Sequence, residues 1–418
     1  MTDPRSNVTS YTYNALGDLT QQVSPDTGTT GNTYDSGGNL ATSTDARSKT
    51  GTYSYDALNR VTSLSYPDQT ISYTYDSGTN QKGRLTQVTD ASGSTSWTYD
   101  THGRVLSRQQ SMGVTKTLSY AYDSAGRLQT LTLPSGNTVT YAYTDGKITS
   151  LTLNGSTTII SNVLYQPFGP TRGWTWGNST LASREYDTDG KITDIDSAGL
   201  KTYSYDDAFR ITGITDAAKS SLSQSYGYDL LDRLTSATGT SLDQGWTYDA
   251  NGNRLSQTGS TASTYTVSST SNRLSSTTGA LSRTYSYDNS GNTTGDGSAT
   301  FTYNDVGRLV SATKASFTTT YALNALGQRV KKTTSGSSTY FVYDEGGHLV
   351  GEYNNSGNLM QEAIWFGNMP VATIRPNGGG VSLFYVHTDH LNTPRRISRP
   401  SDHCVAVGLG SIRHDSGE

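Results

Sequence analysis

Residues 120–128 read Tyr-Ala-Tyr-Asp-Ser-Ala-Gly-Arg-Leu, and variants of this stretch recur along almost the whole chain. The most regular element is a tyrosine followed by aspartate or asparagine, which returns every 20 to 24 residues between Tyr13 and Tyr122. A fixed period of this length indicates a repeat array. Copies lie at Tyr13, Tyr34, Tyr55, Tyr75, Tyr99, Tyr122, Tyr186, Tyr205, Tyr228, Tyr248, Tyr287, Tyr303 and Tyr343, with a degenerate copy at Leu323.

Each copy of the repeat predicts a β-hairpin. In a strand, Tyr53 and Tyr55 stand two residues apart, so both rings point to the same face. The carboxylate of Asp56 can accept backbone N–H groups further along the turn, and Asn59, which is glycine in most copies, tolerates a positive φ. We expect glycine at this bend because a Cβ would clash there. We assign turn and wall roles to Tyr55, Asp56, Tyr99, Asp100, Gly103, Tyr122, Asp123, Gly126, Tyr248, Asp249 and Gly252.

Second turns connect one hairpin to the next. Residues 66–69 and 133–137 are examples, and both contain proline together with other turn-forming residues. The predicted fold class is therefore all-β, a long antiparallel meander of β-hairpins. A sheet of this length has to twist, and it avoids exposed edges by coiling into a spiral or a partial hollow β-shell. The sequence alone leaves open whether the wall closes.

The composition is that of a thin wall and not of a dense globular core. Hydrophobic residues make up 32% of the chain, and tyrosines outnumber phenylalanines 29 to 7. A tyrosine packs its ring while its hydroxyl keeps a polar partner, which suits a sheet that is wet on at least one face. The abundance of aromatic residues argues against disorder.

Charge and hydropathy argue against several classes of partner. A net charge of −4 gives no electrostatic reason to expect nucleic acid or an anionic membrane. No stretch approaches the roughly 20 consecutive apolar residues of a membrane helix, and residues 1–10 lack the apolar run of a Sec signal peptide. The one cysteine, Cys404, lies behind the repeats, so the repeat body forms no internal disulfide. We expect no nucleic acid partner, no membrane insertion and no cofactor.

His387, Asp389 and His390 form a short grouping of side chains that can ligate zinc or iron. In a strand, His387 and Asp389 would share a face, whereas His390 would point the other way. No cysteine or glutamate nearby completes a ligand set. We therefore predict a structural role for the three residues and no metal site.

The tryptophans raise a carbohydrate-binding alternative. Trp174 and Trp176 would share one strand face and could stack on sugars. Trp97 and Trp246 instead replace the first tyrosine of a repeat, which indicates wall residues. Most aspartates recur once per repeat at the turn, so folding explains them without a glycosidase pair. The sequence contains no GxSxG or P-loop motif, and we predict no enzymatic activity.

The repeat Tyr-x-Tyr-Asp-x-x-Gly-Arg-Leu resembles the YD repeat of bacterial RHS proteins. Residues 166–178, which include Gln-Pro-Phe-Gly-Pro and Gly-Trp-Thr-Trp-Gly-Asn, resemble a non-repeat insertion of that family. Residues 362–372 and residues 385–395 resemble the start of the RHS-associated core. The second of these, Tyr-Val-His-Thr-Asp-His-Leu-Asn-Thr-Pro-Arg, is the most specific motif of the chain. The resemblance runs from about residue 11 to residue 400.

This resemblance implies a container. In the family, the repeats build a hollow β-shell around a C-terminal toxic segment, which an aspartyl protease segment after the core releases. The implied function is a non-catalytic shell of a polymorphic toxin used in contact-dependent or type VI secreted competition between bacteria. The implied partners of a full-length protein are the C-terminal toxin domain, a cognate immunity protein and a secretion apparatus, and its implied location is secreted or at the cell surface. The alternative is a cell-surface adhesion or carbohydrate-binding repeat protein.

Three regions follow from the resemblance. We expect a repeat array over 1–360 with a Trp-rich insertion at about 160–182, the start of the core over 361–402, and a tail over 403–418. The family pattern Trp-x-Trp-Asp-x-Asp-Pro-Phe-Gly is absent from the tail. Codons exist for the tail in which loss of one nucleotide at His403 gives Thr-Ala-Trp-Arg-Trp-Asp-Ser-Asp-Pro-Phe-Gly. We therefore expect an out-of-frame tail on a fragment that stops before the protease and toxin, with open sheet edges that favour self-association.

Overall fold

The computed structural model describes residues 1–401, and these residues fold almost entirely into β-strands. The expected out-of-frame tail at 403–418 lies outside the described residues. One short 3₁₀ helix, Ser220–Leu222, lies among the described strands, and no described helix is long and apolar enough to cross a membrane.

The first half of the described chain contains twenty strands. They are β1 (Ser10–Tyr13), β2 (Leu19–Ser24), β3 (Gly28–Tyr34), β4 (Leu40–Thr44), β5 (Thr50–Tyr55), β6 (Val61–Tyr66), β7 (Gln69–Tyr75), β8 (Leu85–Asp90), β9 (Gly93–Tyr99), β10 (Val105–Ser111), β11 (Thr115–Tyr122), β12 (Leu128–Thr132), β13 (Thr138–Thr144), β14 (Lys147–Leu153), β15 (Thr157–Tyr165), β16 (Thr171–Trp176), β17 (Leu181–Tyr186), β18 (Ile192–Asp196), β19 (Leu200–Tyr205) and β20 (Ile211–Asp216).

The second half of the described chain continues the same run of strands. They are β21 (Gln224–Tyr228), β22 (Leu234–Gly239), β23 (Leu242–Tyr248), β24 (Arg254–Gln257), β25 (Ser263–Val267), β26 (Leu274–Gly279), β27 (Arg283–Thr284), β28 (Ser286–Tyr287), β29 (Thr293–Gly295), β30 (Ala299–Tyr303), β31 (Leu309–Lys314), β32 (Phe317–Leu323), β33 (Arg329–Thr334), β34 (Ser337–Tyr343), β35 (Leu349–Tyr353), β36 (Leu359–Phe366), β37 (Met369–Asn377), β38 (Gly380–Thr388) and β39 (Pro394–Ser398).

Each strand pairs antiparallel with the next strand in sequence, so the sheet is a meander. The single interruption among the described residues is Tyr285, between β27 and β28, whose N–H still donates to the carbonyl of Ser275 at 2.9 Å. The first strand does not pair with the last, so the sheet is open. The predicted all-β hairpin meander is confirmed.

The hairpin tips share one five-residue turn, here called the Asp-turn. In the copy that begins at Asp56, the Asp56 N–H donates to the Arg60 carbonyl and the Asn59 N–H donates to the Asp56 carbonyl, both at 3.0 Å. The Asp56 Oδ1 atom accepts the backbone N–H groups of Leu58 and Arg60, at 2.9 and 3.0 Å. Oδ2 accepts the Arg60 Nε at 2.7 Å. The same carboxylate-to-amide bonds occur at Asp35, Asp100, Asp123, Asp187, Asp206, Asp229, Asp249 and Asp288.

The fourth residue of the Asp-turn has a left-handed backbone. Its φ is +83° at Gly103, +82° at Gly126 and +60° at Asn59. The expected Cβ clash is wrong as a general reason for glycine, because a Cβ at Gly17 or Gly252 would meet no heavy atom within 4 Å. Glycine is favoured there because the positive φ strains other residues, although asparagine tolerates it.

Neighbouring repeats are joined by a tyrosine and an arginine. The hydroxyl of Tyr122 donates to the Val105 carbonyl of the preceding repeat at 2.8 Å. The Arg104 guanidinium binds Asp100 through Nε at 2.6 Å and lies 4.4 Å from the centre of the Tyr122 ring. Each repeat therefore contacts the next through both ring and hydroxyl. The same hydroxyl-to-carbonyl bond is made by Tyr34, Tyr55, Tyr99, Tyr143, Tyr165, Tyr186, Tyr205, Tyr228, Tyr248, Tyr287, Tyr303 and Tyr343.

The expected insertion at about 160–182 contains a further repeat in the structure. Tyr165 ends β15, and its hydroxyl donates to the Ile148 carbonyl at 2.9 Å. Gln166 then starts a five-residue turn with the backbone hydrogen bonds of the Asp-turn, since its N–H donates to the Pro170 carbonyl at 2.9 Å, although the left-handed residue is here the third, Phe168, with a φ of +56°. The tyrosine-aspartate pattern misses this copy because glutamine follows Tyr165.

The meander coils into a spiral in which β24–β39, the second coil, lies against β1–β23, the first coil. Asp68, in the turn after β6, accepts the N–H of Asp305, in the turn after β30, so 24 strands separate these partners. Ser197, in the turn after β18, contacts His387 of β38, only 20 strands later. With strands about 4.8 Å apart, and with β27 and β28 counted as one interrupted strand, the perimeter narrows from about 110 Å to about 90 Å, so the diameter narrows from about 35 Å to about 29 Å.

The two coils meet along a line that we call the seam. The turns that join one hairpin to the next, here called linker turns, lie on the first-coil side of the seam, where Asp68 and Asp90 accept N–H groups from Asp-turns of the second coil. Nearer the C-terminal end, apolar side chains of both coils pack into one cluster. Its most deeply buried members include Leu151, Trp176, Ile364, Ile374 and Tyr385.

Serine and threonine hydroxyls pair across neighbouring strands on the face of the sheet opposite to the repeat tyrosines. Thr98 and Ser107 lie 2.6 Å apart between hydroxyl oxygens, and Thr302 and Ser311 lie 2.7 Å apart in the second coil. These pairs are exposed, whereas Trp97 on the other face of β9 is buried. The wall therefore has one hydroxyl face and one aromatic face.

We expect Tyr122→Phe to lower the free energy of unfolding by about 1 kcal/mol, because the half-buried Val105 carbonyl loses its partner while the ring under Arg104 stays. Urea denaturation, with hydrogen exchange of β10 and β11, measures the change. Tyr13→Phe is the control, since the Tyr13 side chain is exposed and its hydroxyl makes no hydrogen bond within the described part of the chain. Equal losses in the two variants would contradict the role of the hydroxyl.

Candidate functional site

Buried polar and charged side chains concentrate at the seam. Arg108, Arg184, Glu362 and His387 are all buried, and each contacts a residue of the other coil. Burying a charged or titratable group is costly unless it is paired or hydrogen-bonded. Specific hydrogen bonds between buried polar side chains are therefore concentrated at the seam.

Glu362 joins the two coils through a fully buried carboxyl group. Its Oε1 accepts the backbone N–H of Ser135 at 2.9 Å and the hydroxyl of Tyr353 at 2.5 Å, and its Oε2 accepts the Ser135 hydroxyl at 2.5 Å. Burial raises the pKa of Glu362, although these hydrogen bonds favour the ionised form. Ser135 lies in the linker turn after β12, so the group fastens that turn to β36.

Arg108 and Arg184 are buried cations that are faced mainly by neutral oxygen atoms. Arg108 donates to the Asp344 carbonyl and, at 2.8 Å, to the Gln328 side chain. Arg184 donates to the Thr388 hydroxyl at 3.0 Å. Burial lowers the pKa of both guanidinium groups. The Nε atom of each lacks a hydrogen-bond partner among the described residues, and Arg108 Nε lies 3.7 Å from the Glu345 carboxylate. Only a second coil with oxygen atoms at these places supplies the hydrogen bonds of the terminal nitrogens, so the two arginines make the docking of the coils specific.

His387 lies between two hydroxyl groups at the narrow end of the spiral. Its Nδ1 is 2.8 Å from the Ser197 hydroxyl of the first coil, and its Nε2 is 2.8 Å from the Ser398 hydroxyl of β39. Both ring nitrogens are therefore occupied. Burial, aided by the nearby Arg396 charge, lowers the pKa of His387 to about 4.

Asp389 begins another Asp-turn, so the most specific sequence motif has the geometry of the repeat. Its Oδ1 accepts the N–H groups of Leu391 and Thr393, both at 2.9 Å. His390 packs edge-on against Tyr203 with 4.8 Å between ring centres. Residues 1–401 contain no group of three or more His, Cys, Asp or Glu side chains that could hold a metal ion.

Trp174 and Trp176 lie in the apolar cluster and not on the surface. Both are buried, and their rings pack at right angles with 5.4 Å between centres. Trp176 also lies 5.2 Å from Tyr385 of the second coil. Their burial leaves no exposed ring face on which a saccharide could stack.

A cleft of about 290 Å³ opens beside His387 at the narrow end of the seam. Its walls come from the linker turn after β18, from β19–β21, and from β38 and β39. Lys201 and Asp216 form an ion pair on one wall, and Arg395 and Arg396 lie on the other. The Ser197 hydroxyl lies within hydrogen-bonding distance of His387, but the second nitrogen of the ring faces the Ser398 hydroxyl instead of a carboxylate, and the lowered pKa of His387 makes it a weak base for activating a serine.

Sequence reasoning did not identify Arg108, Arg184, Ser135 and Glu362. A signal for Glu362 existed, since it is a single charged residue before the apolar run Ala-Ile-Trp-Phe in β36. The other three lie in ordinary polar repeat sequence. Their contacts are with partners 185 to 236 residues away across the seam, which no local pattern shows.

The sequence matches the family model described as Teneurin YD-shell over residues 78–159 and 210–405, about two thirds of the chain. The model described as RHS Repeat matches residues 1–29, 34–71 and 186–221. A search among curated proteins gave no match.

Solved structures share the fold. The Tc holotoxin pore of Photorhabdus luminescens is 18% identical with a TM-score of 0.78, and the match covers 94% of this chain and 24% of that chain. A TcdB2-TccC3 crystal structure is 18% identical with a TM-score of 0.78, covering 94% of this chain and 25% of that chain. TcdB2-TccC3 without its hypervariable C-terminal region gives 17% identity, a TM-score of 0.77, and coverage of 94% and 24%. The chain thus spans about a quarter of the length of these structures, and at this identity the likeness shows the fold.

We expect Glu362→Gln to gain stability relative to the wild type as the pH rises from about 4.5 toward neutral. Because its pKa is raised, the Glu362 carboxyl keeps its proton to a higher pH in the folded chain than in the unfolded chain. The stability that the protonated carboxyl contributes to the folded chain is lost as the pH rises through this raised pKa. Glutamine keeps the shape without a charge. Thermal unfolding across this range measures the difference, with the half-buried Glu352→Gln on β35 as control. A pH-independent difference would contradict the assignment.

We expect His387→Gln to reduce the loss of free energy of unfolding that the wild type shows as the pH falls from 6.5 to about 4. The folded pKa of His387 is about 4 against an ordinary value of 6.5, so its contribution is present above pH 6.5 and lost as the pH falls to about 4. The loss amounts to about 3 kcal/mol at most. Urea denaturation at stepped pH tests this, and His102→Gln at an exposed turn is the control. If the free energy of unfolding depended on pH in the same way for the wild type and for His387→Gln, the His387 ring would not be buried in its neutral form.

Proposed function

The chain belongs to the Teneurin YD-shell family, and from this premise we propose that it is a wall segment of a hollow shell that encloses a C-terminal toxin domain of a longer protein. The observation that carries the proposal is the continuous meander that coils on itself and is fastened along the seam. A spiral about 35 Å across, built from a wall one sheet thick over most of its length, is suited to surrounding a polypeptide.

We propose that the hydroxyl face lines the interior of the shell, where it encloses a polypeptide without tight recognition. Its serines and threonines bond to each other across strands, as Thr98 does to Ser107 and Thr313 does to Thr318 at 2.8 Å. Groups that satisfy each other offer few free donors or acceptors to a passing chain. Such a wall can cover a polypeptide along its length without holding one particular sequence.

The role proposed for this segment is structural and not catalytic. Its aspartates serve the Asp-turns, and its buried glutamate and histidine serve the seam. The finer parts of the proposal concern the longer protein: release by a protease segment after the core, a cognate immunity protein, and delivery by a secretion apparatus such as type VI in competition between bacteria. We also propose the division into a repeat array at 1–360 and the start of the core at 361–402.

The carbohydrate-binding alternative has no specific support. It depended on Trp174 and Trp176 as a stacking surface, and both rings are buried. Several of the exposed aromatic and apolar residues lie one by one in separate Asp-turns, as Leu58, Phe168 and Leu230 do.

Protease protection tests the enclosure. The chain is expressed from its natural gene with the coding sequence that follows it, tagged at the end, and the purified product is treated with proteinase K. We expect the downstream segment to stay intact in the folded protein and to be digested after unfolding in urea. The same segment expressed alone is the control. Digestion at the same rate with and without the shell would refute the proposal, as would a downstream sequence that encodes a surface anchor instead of a further domain.

A further inference from the structure

An asparagine followed by glycine occurs at three places in the chain, at Asn154, Asn251 and Asn377. In such a pair the backbone nitrogen of the glycine can attack the carboxamide carbon of the asparagine, because glycine has no Cβ that hinders the approach. The attack requires that the glycine N–H has no other acceptor and that the carboxamide can turn towards it. The three places differ in both respects.

At Asn251 both reacting groups are held. The Gly252 N–H donates to the Asp249 carbonyl at 3.1 Å, so the attacking nitrogen is in use. The Asn251 Nδ2 donates to Asp3 Oδ2 at 2.6 Å and to Asn272 Oδ1 at 2.7 Å. Attack on this carboxamide therefore requires three hydrogen bonds to break.

At Asn154 the carboxamide is held from both ends. Its Oδ1 accepts the Thr138 N–H at 2.9 Å, and its Nδ2 donates to Asn137 Oδ1 at 2.8 Å. The backbone N–H of Asn154 also donates to the Thr138 carbonyl, at 2.8 Å. The side chain is thus bound to the start of β13, and it turns towards the Gly155 nitrogen only when it loses both of its hydrogen bonds.

At Asn377 the glycine nitrogen is free and the side chain is loosely held. Asn377 ends β37 and pairs with Gly380 of β38 across an exposed turn of two glycines. The Gly378 N–H meets no acceptor within residues 1–401. The carboxamide makes a single exposed hydrogen bond there, from Nδ2 to the Ser382 hydroxyl at 2.9 Å. The carboxamide carbon is therefore open to attack.

The tip of this hairpin also opens easily. Pro376 has no N–H to donate, and three glycines follow Asn377, so few contacts hold the tip. A Cβ at Gly378 would meet no heavy atom within 4 Å, which leaves room for a ring to close. Ile374 and Leu383 pair further along the same two strands and are buried, so the opening stops before the seam.

We propose that Asn377 is a site of spontaneous deamidation, at which water converts the asparagine to aspartate and isoaspartate. Hydroxide takes the proton of the Gly378 N–H, and the nitrogen bonds to the Asn377 Cγ atom. The bond from Cγ to Nδ2 breaks, and Nδ2 takes a proton from water and leaves as ammonia, which regenerates the hydroxide. Water then opens the cyclic succinimide at Cγ to give aspartate, or at the backbone carbonyl to give isoaspartate, in which the backbone passes through Cβ and Cγ. Both products carry a new negative charge at the tip, whether or not the shell encloses a toxin.

Peptide mapping by mass spectrometry tests the proposal on the full chain after incubation at mildly alkaline pH. In the folded chain we expect deamidation at Asn377 to be about tenfold or more faster than at Asn154 and Asn251, because two or more hydrogen bonds must break at the other two sites. In urea, where all three hydrogen-bonded environments are lost, the three rates should become similar. Equal rates in the folded chain, or a slower rate at Asn377, would overturn the proposal.

Matched variants locate the modification. A protein isoaspartyl methyltransferase with labelled S-adenosylmethionine reports the isoaspartate of the aged, folded chain. Asn377→Gln should remove most of the label, since glutamine closes its larger ring far more slowly, whereas Asn154→Gln should leave the label unchanged. Circular dichroism confirms that both variants fold. Equal labelling of the wild type and Asn377→Gln would refute Asn377 as the site.

Discussion

The structure depends on the satisfaction of backbone N–H groups at the hairpin tips. In the Asp-turns a single carboxylate oxygen accepts two backbone amides, and the second oxygen binds the side chain four residues later, which is arginine at Asp100 and Arg104 and asparagine at Asp35 and Asn39. That arginine lies on the tyrosine of the next repeat, Tyr122, whose hydroxyl reaches back to the Val105 carbonyl. No repeat completes its own hydrogen bonding. The wall is therefore stabilised by nearest-neighbour contacts, as expected of a repeat protein.

At the seam, titratable side chains are shifted in pKa toward their uncharged forms, whereas the aspartates of the Asp-turns are shifted toward the charged form. At the half-exposed Asp-turns, backbone and side-chain donors lower the pKa of aspartates such as Asp56 and Asp123, so these carboxylates are ionised near neutral pH. At the seam, burial raises the pKa of Glu362 and lowers that of His387. Burial thus disfavours the charged form of these two groups that join the coils, whereas hydrogen bonds favour the charged form of the aspartates that shape the turns. The coupling between coils should accordingly respond to pH more than the repeats themselves do.

The fold could be predicted because the repeat is local. The hairpin and its turn are predicted by two tyrosines, an aspartate and a glycine within about ten residues. The meander is predicted by the recurrence of this pattern every 20 to 24 residues. The repeat at Tyr165 was missed because glutamine can begin the turn in place of aspartate. The site could not be predicted, because Ser135 and Glu362 are 227 positions apart and meet only once the coil has closed on itself. The burial of Trp174 and Trp176 depends on the second coil in the same way.

The contacts between the two coils at the seam also depend on the number of repeats in the first coil. Linker turns of the first coil meet particular Asp-turns of the second, as Asp68 meets the turn after β30 and Asp90 meets the turn after β32. A duplicated or deleted hairpin in the first coil would shift the register between the two coils by one repeat, so that each linker turn would meet a different Asp-turn. Arg108 and Glu362 would then face the wrong residues. Many single repeats can therefore change in sequence without affecting the seam, whereas a change in the number of repeats would disrupt its contacts.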